Sequence, residues 1–400
     1  MDTQKVVDPQ KIIDTFTEFY RDRGHQRITG SSLLPPPGDP VLFTTSGMHP
    51  LTRYLEGRPH PLGTRLGGVQ RCLRTTDLDD VGDLIHLTLF EMLGSWSLGD
   101  YTGEQSVRWG YELLTEGFGI PPDHLYVTVY GGPDVGGDEQ VGPDTGLLEV
   151  WHGLGVPVEL TGQDNWWSNG PTGLCGTDSE IFVWTGQTPP VGTPSTDSRW
   201  VELWNHVMLR FWRLDDGSLQ PLDRPNVDTG MGLERLLTVL EGGDSLFDCP
   251  LLRPWTSTVS DRWPVSGSGL RLVSDHLRSS VVVIGDGVRP SNTGRGYVLR
   301  RLIRRGLTTL WRGDPSSSLS DLPDGLIGDT LRHFQCSPSP RQVRGVLLDE
   351  QRRFGDLLER GRTVLRDWPG RGPLTEEDYR YLHETHGLPR EFVPELLPPS

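Results

Sequence analysis

The chain has 400 residues, of which 34% are hydrophobic, and a net charge of -16 from 38 basic and 54 acidic side chains. Two or three domains and a sizeable core fit this length. The charge excludes a generic polyanion binder, and apolar runs such as Val281-Val282-Val283-Ile284 are far too short to span a membrane. One residue type is missing outright: the sequence contains no alanine, where roughly 20 are expected even at a low usage of about 5%. Only Lys5 and Lys11 stand against 36 arginines. Such a bias usually accompanies GC-rich coding, which also favours alanine codons, so drift does not explain the gap.

In chain order, residues 8–23 have helical periodicity, with Ile12, Ile13, Phe16, Phe19 and Tyr20 on one face and Gly24 as the stop. Pro35-Pro36-Pro37-Gly38 predicts a rigid turn before a short strand from Val41 to Thr45. Further strands are predicted at 69–74, 86–93, 125–130, 180–185 and 200–213, with helices near 104–118 and 145–154. Segment 131–146 is Gly-rich and acidic, which predicts an exposed loop. A helix begins near Met231, after Thr229-Gly230. Beyond about residue 245 the patterns turn helical: 270–285, 294–311, 341–367 and 375–385, with a polar connector at 313–326. An α+β domain over 1–245 and a helical domain over 246–400 follow.

The four cysteines are scattered, which suits reduced thiols and shows no zinc-ligand spacing; no metal site is predicted. His383 and His386 read as a surface helix. The N-terminus has no signal-peptide apolar region, so a cytoplasmic location is expected.

Four constellations bear on chemistry. Val227 to Arg235 (VDTGMGLER) runs from a strand end through glycines into a helix, which fits either a tight turn or an anion site with Arg235 placed to grip phosphate. Gln70 to Arg74 and His86 to Gly94 predict an antiparallel pair in which Arg71 and Arg74 face opposite ways. Asp164 to Ile181 sets Trp166-Trp167 beside a Gly-rich loop, as core packing or as the wall of a small pocket. From Arg289 to Arg312 there are seven arginines and no acid. Within them Arg300, Arg301, Arg304 and Arg305 form a helical stripe, which favours nucleic acid over a merely solvated face.

These segments, in this order, resemble the alanyl-tRNA synthetases, a class II aminoacyl-tRNA synthetase family. Phe43 to Met48 is similar to the family's FTNAGM, Gln70 to Arg74 to the first strand of motif 2, and Phe90 to Tyr101 to FEMLGNFSFGDY. Trp204-Asn205 and Asp228 to Arg235 are similar to the WN segment and motif 3, and Arg271 to Arg305 to the start of the tRNA-recognition helices. A weaker likeness reaches Gly387-Leu388-Pro389.

The resemblance implies an antiparallel class II sheet with flanking helices, then a helical domain that reads tRNA. It implies activation of alanine with ATP and Mg2+ and its transfer to the 3′ end of alanine tRNA. Arg74 would bind the α-phosphate and Arg235 the distal phosphates, with His86, Phe90 and Gly232 around the nucleotide and Phe90 stacking on adenine. Asp228 would pair with the amino acid's ammonium, Asn205 would contact its carboxylate, and Met48, Trp167 and Gly230 would line a methyl-sized pocket. Asn292 would read a G·U pair of the acceptor stem from the minor groove, with Glu384 at the family's aspartate position and Arg300, Arg301, Arg304 and Arg305 on phosphates. A monomer or a homodimer fits this family, and no membrane partner is implied.

The departures are specific. Thr75-Thr76-Asp77 replaces a longer motif 2 connector, Ile85-His86-Leu87 replaces an Arg-His-His run, and Asp178 stands at the second cysteine of a GPCGPC loop. The family's editing domain and its zinc ligands are expected to be absent, so no zinc is predicted. The short connector keeps an alternative open, a synthetase-like ligase that loads an amino acid onto a non-tRNA acceptor. The missing alanine fits an enzyme that is itself translatable when charged alanine tRNA runs out, as a backup or resistance enzyme.

Overall fold

The computed structural model describes residues 7–36, 38–366, 368, 374–386, 388 and 390–393. Gly387 and Pro389, in the weak C-terminal likeness, and Pro37 of the predicted turn lie outside the described residues. Two compact units form. One joins the described residues up to Asp79 with Leu84–Arg253; the other joins Asp80–Asp83 with the described residues from Pro254 onward.

The first unit is built on one sheet. Its strands among the described residues are β1 (Gln26–Ile28), β2 (Arg65–Leu73), β3 (Leu89–Ser97), β4 (Leu125–Tyr130), β5 (Val158–Thr161), β6 (Trp166–Ser168), β7 (Gly173–Trp184), β8 (Trp200–Arg213) and β9 (Leu219–Gly232). The order is β1-β2-β3-β9-β8-β7-β4-β5, with β6 paired to β7. The pairs β1·β2 and β4·β5 are parallel; the central β2-β3-β9-β8-β7 run is antiparallel.

Alternation decides which side of this sheet carries chemistry. Leu93, Met231, Trp204, Ile181 and Met208 point to the rear, into a core shared with Phe16 and Tyr20 of the helix Pro9–Arg21. That helix starts where Asp8 caps the Gln10 N–H and Pro9 occupies the first turn, and Gly24 at φ +85° ends the segment. The opposite, front side holds the residues between these.

Several elements differ from expectation. Val41 to Thr45 is no strand. Pro35, Pro36 and Pro40 remove ladder donors around it, and it is tied down by single bonds, Thr44 N–H to Leu33 O and Leu73 N–H to Thr44 O, both 2.9 Å. The predicted strand at 69–74 begins at Arg65 and ends at Leu73, so Arg74 lies just beyond it. The strand expected at 86–93 is shifted to Leu89–Ser97. Trp166-Trp167 belongs to a short strand that was not expected, and Leu219–Gly232 is a long strand that its prolines and acidic residues concealed.

The second unit is helical. Besides the expected helices Gly267–Gly285, Gly294–Gly313, Pro340–Arg366 and Glu376–His386, it contains Arg253–Arg262 (beginning in the first unit's last residue) and Asp324–His333, whose polar composition hid them. Trp311 stacks on Phe354 with ring centres 5.5 Å apart. In both units some helix positions hold glycine where an added methyl would meet nothing within 4 Å: Gly153, Gly325, Gly345 and Gly355.

Candidate active site

The front side of the sheet is read in cross-strand rows. Trp96, Asp228, Val207 and Asp178 lie in register across β3, β9, β8 and β7, and Gly230, Asn205 and Glu180 form the next row. Residues in register share a face, so two carboxylates flank Val207.

At one end a cleft of about 330 Å³ is lined by Arg74, His86, Phe90, Glu202, Gly232 and Arg235, with Gly230 at its edge. Arg74 is held at both backbone and side chain: its N–H donates to Thr88 O at 3.0 Å and its Nε to Thr45 O at 3.3 Å. Its guanidinium lies 5.0 Å from the Phe90 ring centre, a cation–π distance. Arg235 enters from the first turn of the helix Leu233–Glu241, capped by Gly232, and its Nη1 donates to Glu202 Oε2 at 3.0 Å. Glu234 turns inward and accepts the Glu91 N–H at 2.9 Å.

Beside the cleft, Met48, Trp96 and Val207 are buried in one cluster against which Trp167 packs. The Trp96 indole fits because Gly47 and Gly94 leave it room: an added Cβ would lie 2.7 Å and 2.3 Å from its Cζ2. Its Nε1 donates to Asp228 Oδ1 at 2.6 Å. Burial pushes the Asp228 carboxyl up to about 7, with the Trp96 bond opposing. Asp178 is 2% exposed. Its Oδ1 accepts from Asn165 Nδ2 at 2.7 Å and its Oδ2 from Asn205 Nδ2 at 3.4 Å. Burial raises it to about 7 as well. Burial also raises Glu180, followed by the charges of Glu202, Asp178 and Asp164.

The fold therefore gathers Arg74, His86, Phe90, Gly230, Gly232 and Arg235 around one cleft, and Met48 and Trp167 about Val207, with Asn205 and Asp228 on neighbouring strands. Trp96, Val207, Asp178 and Glu202 were missed. Period-two counting points to two of them, since Val207 follows Asn205 by two on β8 and Trp96 continues the Phe90-Met92-Gly94 series on β3.

The pattern of the family described as tRNA synthetases class II (A) matches residues 11–398. The chain belongs to the class II tRNA synthetases. Among curated relatives of this synthetase, the alanine–tRNA ligase of Treponema pallidum (strain Nichols) is 40% identical over 410 residues, covering 95% of this chain and 67% of the relative. That of Treponema denticola is 43% identical, covering 76% and 53%, and that of Rubrobacter xylanophilus is 36% identical, covering 96% and 46%. The synthetase thus spans about half to two thirds of the length of these relatives. Among solved structures, Staphylococcus aureus histidyl-tRNA synthetase superposes with a TM-score of 0.37 at 14% identity, covering 60% of this chain and 68% of that one.

In the helical unit of the synthetase, Asn292 is exposed just before the helix Gly294–Gly313, and its Oδ1 accepts from Arg300 Nη1. Arg300 in turn lies 5.5 Å from the Tyr297 ring centre. Glu384 is exposed on the helix Glu376–His386. The arginine stripe is not uniform. Arg304 is 6% exposed, its Nε donates to Glu350 Oε1 at 2.7 Å, and its guanidinium lies 5.0 Å from the Phe354 ring centre. The expectation that Arg304 holds phosphate is corrected: the helix Pro340–Arg366 covers it and uses its charge internally. Arg301 and Arg305 are half-buried, and both bear electrostatically on buried His276. Among the described residues no three His, Cys, Asp or Glu side chains group as metal ligands, and no helix is long and apolar enough to cross a membrane.

Proposed function

We propose that this class II synthetase is an ATP-dependent alanine–tRNA ligase. The observation that carries the proposal is the buried Asp228 carboxylate beside a Val207 floor, clustered with Met48 and Trp167, next to a cleft bearing two arginines. An ammonium suits Asp228, whose Oδ2 has no protein donor among the described residues, and a methyl group suits the apolar floor.

In the first step the alanine carboxylate attacks the α-phosphorus of ATP and pyrophosphate leaves. Arg74 offsets the charge that develops at the α-phosphate and the reacting carboxylate. Arg235 binds the β- and γ-phosphates after exchanging Glu202 for them, and Phe90 offers its ring to adenine. Mg2+ requires oxygen donors and takes few from protein. Glu202 and Glu234, both lining the cleft, fit such an ion, which when bound neutralises phosphate charge. In the second step a ribose hydroxyl of the tRNA end attacks the adenylate carbonyl and AMP leaves. Asn292 and Arg300, with Arg301, Arg305 and Glu384, form the acceptor-stem reader in this proposal.

Pyrophosphate exchange with alanine, followed by charging of an alanine-tRNA transcript with and without its G·U pair, tests the reading. Exchange and G·U-dependent charging are expected. Exchange without charging of either transcript would instead favour a ligase for a non-tRNA acceptor, to which the short Thr75-Thr76-Asp77 connector points. The proposal includes a cytoplasmic monomer or homodimer. It also includes a backup or resistance role, because synthesis of a chain without alanine consumes no charged alanine tRNA. Continued synthesis of this chain while the host alanine enzyme is inhibited is the expected result; its arrest alongside ordinary proteins would end that part.

A further inference from the structure

Asn205 has two unlike ends, and the fold treats them differently. Its Nδ2 donates to Asp178, whereas its Oδ1 is buried with no partner among the described residues. Asp178 is itself fixed. Its other oxygen accepts from Asn165 Nδ2, and Asn165, wholly buried, is held by the Thr161 hydroxyl donating to its Oδ1. These hydrogen bonds run from the β5 end to the pocket floor, and the two amides donate to Asp178 from opposite sides. An ionised carboxylate only accepts, so the amide facing Asp178 must offer Nδ2 and turn Oδ1 elsewhere. A buried acceptor without a donor is unfavourable unless a ligand supplies one.

The neighbouring strand shows what that ligand group is. Asn205 is opposite Gly230, and Asp228, two residues along β9, is its diagonal neighbour on the same face. Such diagonal pairs are roughly 7–8 Å apart at Cα, close enough for two side chains to converge on one group. A carboxylate and an amide oxygen are both acceptors, and an ammonium has three donors to share between them.

We propose that Asp178 is a positioning residue that turns the Asn205 carbonyl oxygen toward the substrate, making Asn205 a second receptor for the α-ammonium beside Asp228. This rests on reading the pocket as an amino-acid site. It revises the expectation that Asn205 contacts the carboxylate, which is left to Arg74. At this position the resembling family carries a cysteine, whose thiol is a donor as well as an acceptor and leaves the amide free to turn. Asp178 removes that freedom.

The test separates the two ends of the amino acid. Binding of L-alanine, ethylamine and propionate is followed by titration calorimetry, at about pH 8 so that both aspartates are ionised. The intact protein is expected to favour ethylamine over propionate. Asp178→Asn lets residue 178 donate to the Asn205 oxygen, so this preference should shrink about tenfold while ATP affinity is unchanged. Asp178→Ser repeats the measurement if the first variant does not fold. An unchanged ethylamine-to-propionate ratio in the variants, or a preference for propionate in the intact protein, overturns the proposal. Alanine binding no tighter than either fragment would sink the amino-acid reading instead, while the ratio still judges the amide orientation.

Discussion

Trp96 and Asp228 are joined across β3 and β9 by a 2.6 Å hydrogen bond from the indole Nε1 to Oδ1. The bond holds a carboxylate that is only 8% exposed without neutralising it. A charge is thereby kept in a dry place for a ligand to complete. The arrangement makes function and stability pull in opposite directions as pH changes.

Asp228 rises from 3.8 in the ordinary state to about 7 in the fold. A raised carboxyl contributes most to stability below its unfolded value and loses that contribution as pH climbs toward the folded value. Alanine binding needs the ionised form, so kcat/KM for alanine in pyrophosphate exchange should drop about tenfold per unit below roughly pH 7. Asp228→Asn should abolish exchange and raise the melting temperature at neutral pH, by a stability gain on the order of a few kcal/mol. A variant that melts lower and retains exchange would contradict both halves.

Gly94→Ala places a methyl 2.3 Å from the Trp96 ring and 3.1 Å from Thr229 O. The indole must leave its slot, and the bond to Asp228 goes with it. A loss of about 1–3 kcal/mol in stability and a roughly tenfold higher KM for alanine, with KM for ATP little changed, are the expected results of kinetics and thermal melts.

Glu350→Gln replaces the carboxylate that accepts from the buried Arg304 Nε with a neutral amide. About 3–5 kcal/mol of the helical unit's stability should disappear, read by urea unfolding. Arg304→Met combined with Glu350→Leu should restore most of it. Were Arg304 a phosphate contact, the paired replacement would weaken tRNA binding and its salt dependence instead.

A pocket sized for one methyl rejects the smaller glycine by only about 1–3 kcal/mol, and an apolar wall excludes a serine hydroxyl about a hundredfold. Exchange assays should therefore detect both amino acids as substrates of activation. Selectivity for alanine beyond about ten-thousand-fold over each would rule out discrimination by size alone.

Gly345 and Gly355 lie inside the helix Pro340–Arg366, where an added methyl touches nothing. Gly345→Ala and Gly355→Ala should each stabilise by about 0.5–1 kcal/mol, measured by chemical denaturation, with activity unaltered.

Much of this was legible before the structure. The helical periods of Ile12 to Tyr20 and of 294–311 are strong local signals, and the apolar runs of 200–213 mark the long β8. Arg74, His86, Phe90, Gly232 and Arg235 came through resemblance, and the fold sets them around one cleft. What was hidden depended on partners distant in sequence. The i, i+1, i+4, i+5 spacing places Arg304 on a face, but only Glu350, 46 positions away, determines that the face is covered. In the sequence Asp178 is only a lost cysteine; its role depends on Asn165 and Asn205, which the fold sets on either side of it. Trp96 was read only as part of a motif, because its slot is made by Gly47, far back in the chain.

The methyl-ready glycines carry one more consequence. Glycine and alanine codons differ only in their second base, so each of these helix positions is one point mutation from a firmer protein. That step is the easiest stabilising change open to the gene, and at Gly153, Gly325, Gly345 and Gly355 glycine stands in its place. Under the proposed backup role these positions are where the exclusion would show, as glycines kept although the fold has room for a methyl.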